Sequence, residues 1–307
     1  MATDSTHEPL ARSHQVERVL WFVFVLNLAV AAAKFFYGLA SGSSAMQADG
    51  IHSVFDSLGN VIGLVGVALA AKPADPGHPY GHAKFETYGS MIIGVLLLVA
   101  AFEVGSGAVE RLMSGTYTAD VTAASFVVMV ATLAVNISVT LYERHRGRQL
   151  ASQILKADAA HTLSDVFVSV GVLVSLGFVA AGFPLADPLM ALVVTFFILL
   201  SAFSVFRSAL RTLSDHACIP AEQIQAVAGE VPGLREVHCI RTRGTEGEVY
   251  CDLHGLVDPS MTVLEAHRLG DRLEEAIKQR FPQVKEVLVH IEPYGYDDDG
   301  RELPPHS

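Results

Sequence analysis

The chain is short of charge, of cysteine and of basic residues, and each shortage closes off a class of function. Charged residues make up 17% of 307 residues against 51% hydrophobic, well away from the balance of an ordinary soluble domain. Lys and Arg number 21 against 32 Asp and Glu, a formal net charge of −11. A chain this acidic, with no basic patch away from its apolar segments, is not expected to bind nucleic acid. The three cysteines, Cys218, Cys239 and Cys251, have no Cys-x-x-Cys spacing and read as ordinary reduced thiols. No His-Glu-x-x-His occurs, which argues against an intramembrane metalloprotease and against an enzyme of that kind. The first 17 residues are polar and lack the apolar core of a signal peptide, so the first apolar segment is expected to be a retained helix.

What is present is a set of six long apolar segments, at about 18–40, 46–71, 87–112, 119–142, 152–182 and 185–207, each long enough for the roughly 20 residues that cross a bilayer. Basic residues fall on one side of them. Arg12 and Arg18 precede the first, Lys72 and Lys84 lie between the second and third, and Arg144, Arg146, Arg148 and Lys156 lie between the fourth and fifth. Arg207 and Arg211 follow the sixth, and the opposite connections hold only Arg111. By the positive-inside rule both termini are cytoplasmic. The expected organisation is a cytoplasmic tail over 1–17, a six-helix membrane domain over 18–209, a cytoplasmic domain over 210–295 and a disordered tail over 296–307, rich in Asp and Pro.

Beyond about residue 210 the pattern is that of a soluble domain. Residues 220–231 predict a helix, 236–243 and 248–257 two strands joined by a Gly-containing turn, 263–281 a helix with Leu264, Leu269, Leu273 and Ile277 at helical spacing, and 287–291 a last strand. The order α-β-β-α-β predicts a small α+β, ferredoxin-like layer of helices on a sheet.

Asp-x-x-His-x-x-x-Asp occurs twice, as Asp49–His52–Asp56 in the second span and Asp158–His161–Asp165 in the fifth. At roughly 100° per residue each triplet falls within an arc of about 60° on its helix. Carboxylates in hydrocarbon need partners, and two such stripes facing each other would surround a divalent cation tetrahedrally. His52, Asp56, His161 and Asp165 are the expected ligands. Asp49 and Asp158, nearly a turn away, are expected to support the imidazoles or to exchange protons. Asn60 continues the first stripe as a hydrogen bonder between helices. Lys34 and Glu103 lie at similar depth in the first and third spans; a pairing between them is one reading, snorkelling to the surface the other. The loop Asp75-Pro-Gly-His78-Pro-Tyr-Gly-His82 carries further donors, in a connection expected to be poorly preorganised.

With the two His-x-x-x-Asp motifs and Gly81-His82-x-Lys84 in view, the chain resembles the cation diffusion facilitator family of divalent-metal/proton antiporters from residue 15 to about 295. The resemblance implies a transport site of His52, Asp56, His161 and Asp165, whose His2Asp2 composition suits Zn²⁺. Manganese, iron, cobalt and cadmium are the alternative cargoes. It implies a loop site of Asp75, His78 and His82, and a pair of metals held by His238, His254, His267, His290 and Glu292 at the dimer interface of the cytoplasmic domain. Glu292 there departs from the Asp of some members. Lys84 and Asp215 match a salt bridge acting as a hinge between the two domains. The implied protein is a homodimeric, multi-pass inner-membrane exporter of Zn²⁺ in exchange for protons, with zinc also as regulator. A passive divalent-metal channel is the competing class, disfavoured because two His and two Asp would hold an ion too firmly for fast conduction.

Overall fold

The computed structural model describes residues 7–41, 53–54, 57–115, 123–183 and 185–296. The chain divides into two compact units, Met1–Leu210 and Arg211–Ser307.

In the first unit, α1 (His7–Ser41), α2 (Leu58–Ala70), α3 (Lys84–Ser114), α4 (Ala123–Gln149), α5 (Gln153–Ala180) and α6 (Ala186–Leu213) follow the six apolar segments. Five of them are long and apolar enough to cross a bilayer; α2 is shorter among the described residues. Residues 46–52, 55 and 56 of the expected second span, with Asp49, His52 and Asp56, lie outside the described residues. α4 runs on to Gln149 rather than ending near 142, its last turn carrying Arg146 and Arg148, which belong in water and suit the helix's C-terminal dipole.

The exposed faces of these helices are apolar: Phe22, Phe102, Met113, Val127, Phe196 and Phe203 all stand open. That inverts a soluble bundle and fits a lipid-facing surface. The interior packs Leu20, Ile93, Leu97, Ile154, Leu155 and Ile198. Small residues let the backbones close in. A Cβ on Gly66 or on Gly89 would stand 2.8 or 2.5 Å from the same atom, Cδ1 of Ile154, so this methyl is seated in a notch between α2 and α3.

The α4–α5 turn is clamped from two sides. Arg12 donates to the carbonyls of Leu150 (2.6 Å) and Ala151 (2.9 Å) and to Glu86 Oε2 (3.2 Å). The other oxygen of Glu86, a residue buried at the start of α3, accepts from the Ser152 hydroxyl and the Ile154 N–H. Arg12 read as a topology signal in the sequence; in the structure it positions the start of α5, the helix that carries His161.

Lys34 is buried and donates to Ser53 Oγ at 3.1 Å, whereas Glu103 lies on the exposed face of α3. The structure thus gives Lys34 a nearby hydroxyl in place of the Glu103 partnership, because the two residues occupy differently buried faces of their helices.

The second unit contains α7 (Ala221–Ala228), β1 (Glu236–Gly244), β2 (Val249–Val257), α8 (Val263–Arg280) and β3 (Val284–Pro293). The sheet order is β1-β2-β3, with β1 antiparallel and β3 parallel to β2. This is the expected α-β-β-α-β layer. β1 and β2 turn tightly at Gly244, whose φ of +124 and close approach to the Glu248 carbonyl exclude a side chain. Thr262 and Glu265 form a reciprocal capping box that starts α8. Leu269, Leu273 and Ile277 point from α8 into a core with Ile224 and Leu253, while Leu264 of the same periodic set remains exposed. The tail expected to be disordered lies outside the described residues from 297 on.

Candidate metal centres

α5 carries the second repeat into the bundle. His161 is buried at 8% exposure, and neither ring nitrogen has a hydrogen-bond partner among the described residues. Such a group is rare in a folded interior and calls for a ligand. Its surroundings come from α2: a Cβ on Gly59 would lie 3.3 Å from Asp158 Oδ1 and 3.5 Å from His161 Cδ2. α2 and α5 therefore touch at the level of this imidazole. Asp165 follows one turn later on α5, half-buried.

Asp158, the leading acid of the repeat, is already engaged. It accepts from Asn60 Nδ2, while Asn60 Oδ1 accepts from Asn27 at 3.1 Å. Glu143, fully buried on α4, accepts from the Thr162 hydroxyl at 3.4 Å, and the same hydroxyl donates to the Asp158 backbone carbonyl at 3.2 Å. This network joins α1, α2, α4 and α5. Nothing in the sequence singled out Glu143, since an acid at the polar end of a span resembles a solvated one; the lone carboxylate before three arginine positions was the available signal.

Between α2 and α3 the three loop donors come together. Ligand atoms of Asp75, His78 and His82 all lie within 4.8 Å of one another. The expectation of poor preorganisation is corrected here. Asp75 Oδ1 accepts from the backbone N–H of His78 (2.7 Å) and of Gly77 (2.9 Å), an Asx turn that aims the carboxylate. The His78 N–H bond, with help from its side chain and the Gly77 N–H, holds the Asp75 carboxyl below its ordinary value. His82 is buried at 7% exposure, and its Nδ1 lies 3.0 Å from the Pro73 carbonyl. A proton on Nδ1 leaves Nε2, 3.4 Å from Asp75 Oδ2, as the ligand atom.

In the second unit the register places His238 opposite His254 and His254 opposite His290, a row of imidazoles across all three strands. Their ring centroids are 5.1 and 4.9 Å apart. Glu292 reaches back to this row, 2.9 Å from His238 Nε2, 2.7 Å from His254 Nδ1 and 3.5 Å from His290 Nε2. His267 stays apart, exposed on α8 and 3.6 Å from Asp271, so within one chain it does not join the row. Asp215 takes a left-handed backbone, φ +53, just past α6, and Lys84 opens α3.

The description "Cation efflux transmembrane domain" matches residues 20–214, and "Cation efflux protein, cytoplasmic domain" matches residues 219–294. This chain belongs to the cation efflux, or cation diffusion facilitator, family. It is 32% identical to an uncharacterized transporter of Methanocaldococcus jannaschii over 91% of this chain and 98% of that one. It is 30% identical to the magnetosome protein MamM of Magnetospirillum gryphiswaldense, over 89% and 86% respectively. It is 31% identical to metal tolerance protein C1 of Arabidopsis thaliana over 90% of this chain and 62% of that longer protein. Among solved structures, the C-terminal domain of MamM is similar at 28% identity, covering 24% of this chain and 91% of that chain, with a TM-score of 0.23. As a family member the chain is a multi-pass membrane protein whose substrates are metal cations.

Proposed function

We propose that this chain exports a divalent cation, Zn²⁺ before others, from the cytoplasm in exchange for protons by alternating access, as a homodimer with both termini cytoplasmic in the inner membrane. It moves an ion rather than catalysing a reaction. The observation that carries the reading is His161, a buried imidazole with neither nitrogen satisfied among the described residues, one turn before Asp165 and against α2. With His52 and Asp56 it completes a His2Asp2 set, the borderline donor mixture that suits zinc better than manganese. Metal and protons compete for such ligands, because imidazole changes charge within the physiological range and a bound cation requires it neutral. Cytoplasmic zinc held by the His238–His254–His290 row and Glu292 would bias the dimer toward one conformation.

The test is metal and proton flux in proteoliposomes across a panel of divalent ions. Saturable zinc uptake that is driven by an acidic lumen, and that alkalinises the lumen as protons leave in exchange, is expected. Flux indifferent to collapse of the gradient would indicate a channel, and a preference for Mn²⁺ or Fe²⁺ would overturn the choice of cargo.

A further inference from the structure

We infer that Cys239 is a thiolate ligand of the cytoplasmic metal site, completing a Cys-His-His-Glu set that takes a zinc-like cation. The inference rests on reading the His238–His254 cluster as a metal site. Neighbouring residues in a strand point to opposite faces of the sheet, so Cys239 should face away from His238. It does not. The register passes from His238↔His254 to Arg241↔Asp252, which places one extra residue in β1. That bulge is accommodated at Cys239, whose φ of +49 is left-handed. Val237 on one side and Thr242 on the other remain buried, while His238 and Cys239 both turn outward.

The consequence is a compact donor cluster. Cys239 Sγ and one nitrogen each of His238 and His254 all lie within 4.8 Å of one another. Ordinary Zn–N and Zn–S lengths put the donors of a tetrahedral site roughly 3.4–3.8 Å apart, so closure needs about an ångström of movement in side chains of which Cys239 is exposed. Glu292, already within 2.9 Å of both imidazoles, supplies the fourth donor. A thiolate changes what the site prefers: sulfur favours Zn²⁺ and Cd²⁺ over Mn²⁺ and Mg²⁺. The cytoplasmic domain would then respond to the soft end of the divalent series, whatever the transport site itself passes.

The experiment uses the full chain in detergent with Cys218→Ser, which leaves Cys239 as the exposed thiol and Cys251 buried. Co²⁺ is titrated, and the His254-dependent part of the spectrum is isolated by subtracting a His254→Ala variant. A near-ultraviolet thiolate-to-cobalt band is expected, lost on adding Cys239→Ser while His254-dependent visible bands persist, with zinc affinity reduced roughly tenfold or more. Cys239→His should recover the affinity without the band. Persistent resistance of Cys251 to thiol reagents reports that the domain is folded in each variant. His254-dependent visible bands without the charge-transfer band would overturn the thiolate ligand and leave the metal site standing. Absence of any His254-dependent cobalt spectrum would remove the metal site and the proposal with it.

Discussion

Asn60 on α2 donates its side-chain amide to Oδ2 of Asp158 on α5, and its own oxygen accepts from Asn27 on α1 at 3.1 Å. Two consecutive amides therefore hold a buried carboxyl. The leading acid of the second repeat is occupied by protein partners, while His161 of the same repeat has none among the described residues. That division of labour sets the first expectations.

Asn60→Ala removes a donor from a buried carboxyl and should lower stability by about 1–3 kcal/mol. Asn27→Ala, one step further out, should cost less. Thermal unfolding in detergent measures both. An Asn27 effect equal to or larger than that of Asn60 would contradict the hierarchy.

His161→Ala should abolish zinc transport while leaving the protein folded, since its ring makes no hydrogen bond among the described residues whose loss would weaken the bundle. Melting temperature and proteoliposome flux, read together, check this. Zinc-dependent flux that survives the change would remove His161 from the transport site.

Asp75 organises the loop through two backbone N–H groups and pairs with both histidines. Its carboxyl is held below the ordinary value of 3.8, chiefly by the His78 N–H. A depressed carboxyl stabilises the turn above that ordinary value and loses its contribution only as pH falls through the lower, folded value. Zinc stoichiometry should therefore show no Asp75-dependent loss between about pH 5 and 8. Asp75→Ala should lose the loop ion, and Asp75→Asn, which keeps the turn and drops the charge, should retain it more weakly. Equal binding by Ala and Asn variants would show that the turn contributes nothing.

Gly89→Ala would drive a methyl to 2.5 Å from Ile154 Cδ1 and should destabilise the bundle by about 1–3 kcal/mol. Ile154→Val deletes that same Cδ1 atom. Combining the two should recover much of the loss, giving a favourable coupling in a double-mutant cycle. Strict additivity would mean that the notch is not the cause.

The apolar spans and the order of the elements in the second unit were legible in the residues themselves. Bilayer thickness demands long apolar runs, helices and strands impose periods of 3.6 and 2, and capping residues such as Thr262 with Glu265 act within a few positions. The second Asp-x-x-His-x-x-x-Asp was visible for the same reason, because Asp158, His161 and Asp165 all lie on one helix. The preorganised loop was not, since it depends on Asp75 meeting backbone amides and on Pro73 meeting His82. Nor were the partners of Arg12, which come from the start of α3 and from the α4–α5 turn, or that of Glu143, which comes from the next helix. Cys239 is the sharpest case. Alternation along a strand assigns it to the face opposite His238, and only a one-residue bulge against β2 reverses that. Local spacing set the candidates; pairing across distant segments decided which of them stand together, because register and packing are properties of two chain segments at once.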